Sequence, residues 1–387
     1  MAGFFTSPRI AWGPGAVEQL SGLGAHRALV VVDPRLAESV GVRRILEELA
    51  KSETQTELVN DGENPDRLEE VTRLRDRIVA SGADWVVAVG GGRTLDGAKA
   101  ARLAAETPDL PVGSLAPIGE LPEPLRRRLV AIPTTSGSGA EASWVADLVA
   151  SDGAPLEVAH RSMVPEWVLV DAELARGLPP ELVSDGAFET AALALEAYLS
   201  AWANPFSDAL ALDALATVVR RLPHALKWSD DPDARAALHY AATSAGLASS
   251  NAQRGVAHAL ARALVDPTGL PYGRLTGIVL PFAVEFDHPS ARDRIEALGV
   301  AVVPGEEAGR PAGPLAPRIR RLGELARLPA SLSAAGVPAD RVESAMETIV
   351  ERTLRSPAVL ANPRVPTPAD VRDLVHAVLG RPEVAPR

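Results

Sequence analysis

Trp85-Val86-Val87-Ala88-Val89-Gly90-Gly91-Gly92-Arg93-Thr94-Leu95-Asp96-Gly97-Ala98-Lys99 is the stretch on which the fold turns. A short apolar run ends in three glycines and passes at once into a helical pattern, so it reads as strand, tight turn, helix. Glycines at such a turn let the backbone approach a phosphate, and the amides of the following helix start favour negative charge. The run is not the usual dinucleotide fingerprint, because Leu95 stands where the third glycine belongs. It is not a P-loop either, since no lysine follows the glycines at the required place. Taken alone, a glycine triplet after a strand is equally a plain turn.

Around it, the first half alternates strand and helix. Strands are expected at Ala28 to Val32, Glu57 to Asn60, Leu129 to Ile132 and Val168 to Val170, and helices at Arg43 to Lys51 and Asp66 to Ser81. This alternation predicts a parallel sheet covered on both faces. After Leu178-Pro179-Pro180 the pattern changes to Ala/Leu-rich helical segments, at Phe188 to Trp202, Ser207 to Arg221, Asp233 to Ser250, Val256 to Leu264 and Asp370 to Leu379. Gly305 to Pro317, rich in Gly, Pro and charge, reads as a surface loop. The expectation is an α/β domain over 1–178 and a helical domain over 179–387.

Composition narrows the function. In 387 residues, 47% are hydrophobic and 23% charged, the balance of a soluble globular protein. There is no cysteine, which excludes disulfides, thiolate metal sites and cysteine nucleophiles. A net charge of −11 argues against nucleic-acid and anionic-membrane partners. No secretory signal or membrane-spanning run is read, so a cytoplasmic enzyme is the expectation. Lys51, Lys99 and Lys227 are the only lysines; arginine carries the remaining positive charge.

A second loop, Pro133-Thr134-Thr135-Ser136-Gly137-Ser138-Gly139-Ala140-Glu141, also follows a buried run. Its hydroxyls and free amides suit the other wall of a diphosphate or ribose site. It lacks the Gly-x-Ser-x-Gly spacing of a nucleophile elbow, so hydrolysis is not implied. Two such loops on one sheet are better explained by a nucleotide than by two unrelated turns. Asp33, at the end of its strand, would accept hydrogen bonds from ribose hydroxyls and repel a 2′-phosphate; its other reading is a strand-end turn residue.

Together these residues resemble the iron-containing alcohol dehydrogenases, including maleylacetate reductases. The resemblance is carried by Ile10-Ala11-Trp12-Gly13-Pro14-Gly15-Ala16, Val30-Val31-Val32-Asp33, Asp61-Gly62-Glu63-Asn64-Pro65, the glycine triplet with Asp96 and Lys99, and the Thr134-Thr135 loop with Glu141. It continues through Glu196-Ala197-Tyr198, Asn204-Pro205-Phe206-Ser207-Asp208-Ala209, Leu280-Pro281 and Asn362-Pro363-Arg364. It implies a dehydroquinate synthase-like architecture with an active-site cleft between the two domains. It also implies NAD, with NADP as the alternative, held by Asp33, Asn64, Gly90, Gly91, Gly92, Arg93, Asp96, Thr134, Thr135 and Ser138. A homodimer with a small-molecule or peptide substrate is the implied assembly.

The departures are at the metal. The family binds a divalent ion through one Asp and three His. Counting from Glu196-Ala197-Tyr198, the Asp position is Glu189 and the first His position is Leu193. His258 keeps the next position, Arg262 replaces a nearby catalytic histidine, and Tyr272 takes the last ligand position. Leucine cannot ligate, and a phenol of pKa near 10 is a poor ligand for Zn²⁺ or Fe²⁺. The expectation is a dehydrogenase without the family's metal. His258 and Tyr272 would be its acid/base candidates, Glu189 would orient His258 or bind a substrate amine, and Arg262 would hold a carboxylate.

Alternatives stay open at this point. The chain also resembles dehydrogenases that tailor daptide-type ribosomal peptides, which implies oxidative decarboxylation of a C-terminal threonine; no motif here specifies a peptide. A non-catalytic nucleotide-binding or scaffold subunit is another reading. A third retains metal through Glu189, His258 and Tyr272.

Overall fold

A computed structural model describes residues 5–60, 62–115, 124–302 and 314–380. The chain divides into two compact units, Met1–Leu178 and Pro179–Arg387.

The first unit carries strands β1 (Arg9–Trp12), β2 (Arg27–Val32), β3 (Gln55–Asn60), β4 (Trp85–Gly90), β5 (Arg128–Pro133), β6 (Val145–Val149), β7 (Pro155–Ala159) and β8 (Trp167–Val170). Its helices are α1 (Val40–Lys51), α2 (Leu68–Ser81) and α3 (Gly92–Ala104). Six strands form one sheet in the order β1-β8-β5-β4-β2-β3, every pair parallel. Strands β2, β4 and β5 have almost no exposed side chain, as expected for a sheet with helices on both faces. Val30, Val32, Val87, Val89, Val130 and Ile132 join Ile45 and Leu49 of α1 in one apolar cluster.

The strands expected from sequence lie where they were read, within a residue or two. The β6–β7 hairpin was not read. Its signal was there: Asp152-Gly153 between alternating runs, with Gly153 at φ +83°. The helix expected from Asp66 starts at Leu68, because Asp66 is drawn into a side-chain contact described below.

The second unit is all helical among the described residues. Its helices are α4 (Pro180–Leu199), α5 (Pro205–Lys227), α6 (Pro232–Ala252), α7 (Val256–Thr268), α8 (Tyr272–Val302, broken at Ala291), α9 (Leu315–Leu325), α10 (Ala339–Ser344), α11 (Met346–Arg355) and α12 (Pro368–Leu379). Proline opens α4, α5, α6 and α12, where its missing N–H costs nothing and its fixed φ suits a helix. α4 ends at Leu199 rather than Trp202, because Asn204 caps α5 through a reciprocal bond with Ser207. The expected loop Gly305 to Pro317 lies outside the described residues up to 313; beyond that, Leu315 to Pro317 are not loop but the first turn of α9. No described helix is long and apolar enough to cross a membrane.

α3 lies so close to the 62–67 loop that a Cβ on Gly97 would meet the Pro65 carbonyl oxygen at 2.2 Å. Backbone cannot yield as a side-chain tip can. Gly97→Ala is therefore expected to destabilise the first unit by about 1–3 kcal/mol, the usual cost of overpacking. A urea midpoint unchanged from wild type would contradict this packing.

Candidate functional site

The chain runs from β2 outward to β3 and then crosses back to β4 on the other side of β2. The winding direction reverses there, and in open parallel sheets ligands bind outside the carboxyl ends of strands at such a reversal. Asp33 and Gly90 stand side by side at that point, Asp33 N donating to Val89 O at 3.2 Å.

The two loops read from sequence meet here. Thr134 N donates to Gly90 O at 3.0 Å. A Cβ on Gly91 would lie 3.2 Å from Thr135, and one on Gly92 2.7 Å from Ser138. The triplet is thus required by the second loop leaning on the first. Gly91 caps α3 without a side-chain bond, which leaves the first amides of the helix for an anion. Gly90, Gly91, Gly92, Thr134, Thr135 and Ser138 are brought together, and they fit a dinucleotide's diphosphate.

The remaining nucleotide candidates are engaged otherwise. Arg93 donates from Nε to Asp66 Oδ1 and from Nη2 to Asn64 Oδ1, both at 2.8 Å. Asp33 takes three hydrogen bonds from Arg35: from N at 2.9 Å, Nε at 3.0 Å and Nη2 at 2.5 Å. The Arg35 contact holds the Asp33 carboxyl below the usual range. Asp96 is buried and paired with Lys99 at 2.8 Å; burial pushes its carboxyl up and Lys99 opposes this. Lys99, fully buried, also donates to the carbonyls of Ala140, Ser143 and Val145. Asp96 and Lys99 thereby tie α3 to the chain that follows the second loop.

In the second unit the decisive feature is the start of α7. Its first amides are buried and need acceptors. Val256 N finds Asn362 Oδ1 at 2.9 Å; Ala257 N and His258 N find Glu196 Oε1 at 2.6 and 3.3 Å. The other Glu196 oxygen, Oε2, meets His258 Nδ1. Gly255 is obligatory, since a Cβ there would lie 2.5 Å from Asn362 Oδ1 and 3.0 Å from Glu196 Oε1.

A carboxylate accepts, so Nδ1 is assigned the proton it donates to Glu196, and whenever the ring is neutral Nε2 keeps its lone pair. Nε2 is buried and has no hydrogen-bond partner among the described residues. The His258 ring meets Tyr272 edge to face, centroids 5.8 Å apart, and the Arg262 guanidinium lies 5.6 Å from the same Tyr272 centroid. His258, Arg262 and Tyr272 are therefore one cluster. Beside it, Asp185 of α4 pairs with Arg274 at 3.1 Å; burial pushes its carboxyl up against that pairing.

One expected role is corrected. The carboxylate that orients His258 is Glu196, two turns further along α4 than Glu189. Glu189 is half-buried on the same face, with Leu193 between them. The sequence reading used Glu196 and Asn362 only as landmarks. Their roles depend on contacts 62 and 106 residues apart, which no local pattern records.

Of the family's ligand positions, that of Leu193 offers no donor atom, and among the described residues no three His, Asp or Glu side chains gather as a metal cage; Glu196 on His258 Nδ1 leaves Nε2 as the ring nitrogen that could serve a metal or a proton.

Behind Glu196, Asp287 of α8 accepts from Asn362 Nδ2 at 2.6 Å, and burial pushes its carboxyl up to about 8. An unfolded aspartate loses its proton near 3.9. The folded chain therefore holds a proton that the unfolded chain releases, and stability falls as pH rises from about 4 to about 8. Asp287→Asn keeps an acceptor for Asn362 and should flatten that decline, read as thermal midpoints at pH 5 and pH 8. An unchanged difference between the two midpoints would contradict it.

Comparison with known proteins bears on the whole chain. The family described as iron-containing alcohol dehydrogenase matches residues 7–172, and the C-terminal part of the same family matches residues 187–379. An NADPH-dependent butanol dehydrogenase of Clostridium saccharobutylicum is 27% identical over 98% of this chain and 99% of its own. A sulfoacetaldehyde reductase of Bilophila wadsworthia is 30% identical over 73% of this chain and 74% of its own. The solved iron-containing alcohol dehydrogenase of Thermococcus thioreducens superposes with a TM-score of 0.89 at 27% identity, covering 97% of this chain and 99% of that one. The parallel nucleotide-type sheet, the all-helical second unit and these matches across both lead to one conclusion: the chain belongs to the iron-containing alcohol dehydrogenase family.

Proposed function

We propose that this chain is an NAD-dependent oxidoreductase of CH–OH groups in which His258 does the proton work that a metal does elsewhere in the family. The observation that carries the reading is the state of His258: Nδ1 fixed by Glu196, and Nε2 buried without a partner beside Tyr272. NAD held at the glycine turn would supply a hydride acceptor for the carbinol carbon. Nε2 of His258 is placed to take the proton that the alcohol oxygen gives up as the carbonyl forms, and to return it in the reverse direction.

Glu196 is a positioning residue. It sets the tautomer and holds the ring, and its charge supports the imidazolium that forms. Tyr272 lines the same place with a phenol. Arg262, one turn along α7 from His258, supplies a cation for an anionic substrate group. Glu189, on the same face of α4 as Glu196, is the candidate for a substrate amine. The relatives include dehydrogenases and reductases of one neutral substrate, butanol, and one anionic substrate, sulfoacetaldehyde; Arg262 favours the anionic kind here.

The test is turnover by the purified enzyme with a panel of neutral and carboxylate- or sulfonate-bearing aldehydes, alongside metal analysis and added Zn²⁺ or Fe²⁺. Activity without stoichiometric metal, and without gain on adding it, is expected. Stoichiometric metal needed for turnover would overturn the reading. Bound NADH with no turnover of any substrate would favour a non-catalytic subunit.

Two variants follow. His258→Ala should lower kcat by roughly 10²–10⁴-fold, the usual worth of a positioned acid/base group. Glu196→Gln should lower kcat less and shift the acidic limb of the pH–rate profile toward lower pH, because the imidazolium loses a neighbouring charge. An unshifted profile would reduce Glu196 to a helix cap.

A further inference from the structure

We propose that Gln253 is a specificity-determining residue: its side-chain amide donates to an oxygen of an anionic group on the substrate, and the strained backbone beneath it is kept for that purpose. The inference rests on the reaction proposed above, in which Arg262 supplies the charge that attracts the same group.

Gln253, Arg254 and Gly255 join α6 to α7, and both ends of this short link are fixed. The last carbonyls of α6 are bound by the chain that follows α4. Asn204 Nδ2 donates to Asn251 O at 3.1 Å, and Ser200 Oγ donates to Ala252 O. The first amides of α7 are bound by Glu196 and Asn362. Gln253 N still closes α6, on Ser249 O at 2.7 Å. The change of direction then falls on one residue, and Gln253 sits at φ 74° and ψ 164°. The left-handed helical well, with ψ of roughly 30–60°, lies elsewhere. The region Gln253 occupies is essentially a glycine region, and another residue holds it only where its surroundings dictate the backbone. Glycine would make this turn with no steric cost. The turn explains the conformation but not the glutamine.

The side chain supplies a reason. Gln253 is only 8% exposed, so packing restricts its amide. Oε1 accepts from Arg254 N at 3.4 Å, which assigns the oxygen end of the amide and turns Nε2 the other way. Among the described residues Nε2 donates to no protein group, yet it is not one of the atoms closed off from solvent. Asp185 Oδ2 and Arg102 Nε and Nη1 also have no partner, but they are sealed. Gln253 therefore presents a donor that is oriented and reachable. Gly255, at most about 7 Å away along the chain, already lies against the Glu196 carboxylate that holds His258. His258 follows Gln253 by five residues and Arg262 by nine. A carboxylate or sulfonate has oxygens enough to meet a guanidinium and a neutral amide together. The substrate class is a short aldehyde or alcohol bearing such a group.

The experiment compares kcat/KM for succinic semialdehyde and for butanal, which has the same four-carbon chain without the charge. It uses the full chain, Gln253→Gly, Gln253→Ala and the near-isosteric Gln253→Glu, alongside thermal midpoints. Wild type is expected to prefer the charged aldehyde. Gln253→Gly and Gln253→Ala should each lower that preference roughly 10- to 100-fold, the worth of one hydrogen bond to a charged group. The loss should lie mainly in KM, as for binding lost equally in ground and transition states. Gln253→Glu replaces the donor by a like charge and should lower the preference further. Gln253→Gly should melt roughly 2–6 °C above Gln253→Ala, the reverse of the usual order, because only glycine relaxes at this backbone.

An unchanged preference in Gln253→Gly and Gln253→Ala would overturn the proposal. So would Gln253→Ala melting at or above Gln253→Gly. A wild type that reduces butanal but not succinic semialdehyde would overturn this inference and leave the proposed reaction standing. Turnover of neither aldehyde by a wild type that binds NADH would overturn that reaction, and this inference with it.

Discussion

The first turn of α7 is buried, and its amides have no water to turn to. Everything in the second unit's candidate site follows from how they are satisfied. Glu196 from α4 and Asn362 from the turn before α12 supply the acceptors, and Gly255 makes the space that lets them approach. A carboxylate at a helix N-terminus is favoured by the helix dipole. Because its second oxygen is on His258 Nδ1, the same group that caps the helix also sets the tautomer of the imidazole. Helix capping and site chemistry are one interaction here. Asp287 completes the arrangement as a buried acid, its carboxyl pushed up to about 8 by burial, with Glu196 nearby adding to the rise.

The first unit follows a parallel logic with backbone in place of a histidine. Gly90, Gly91 and Gly92 are small because Thr94, Thr135 and Ser138 occupy the volume that side chains would need. Lys99 holds the far side of the second loop by three carbonyls, and Asp96 supplies the opposite charge that such a buried ammonium requires. The two loops at the end of the sheet are therefore fixed by packing and by one buried ion pair. At the end of β2, Asp33 is paired with Arg35.

The family frame and the departure from it are physically compatible. The sheet, the switch point and the helical unit are built on apolar cores. What changes with Leu193 and Tyr272 is the donor set around His258. An imidazole anchored by a carboxylate can hold or release a proton, and that is the capacity the proposed reaction asks of His258.

Much of this was legible in the order of residues. Hydrophobic runs of four to six between helical periods, with no wasted polarity, determined a parallel sheet. Pro179-Pro180 and the Ala/Leu-rich run after it determined where helices take over. The glycine triplet and the Thr134-Thr135 loop marked the nucleotide edge, because only a few residue types allow backbone to approach so closely. The cluster of His258, Tyr272 and Arg262 was readable from its family positions. The Asp152-Gly153 hairpin was readable too, though it was not read. What the tertiary structure alone decided was which carboxylate serves His258 and what Asp33 does. Glu189 and Glu196 share a helix face and a chemistry, and only the close approach of α7 to α4 chooses between them. Arg35 and Asp33 are near in sequence, but the turn that folds one onto the other is a matter of backbone geometry. Composition and periodicity fix which surfaces are buried; the pairing of charges depends on distances that only the folded chain sets, because electrostatic and hydrogen-bond energies fall away within a few ångströms.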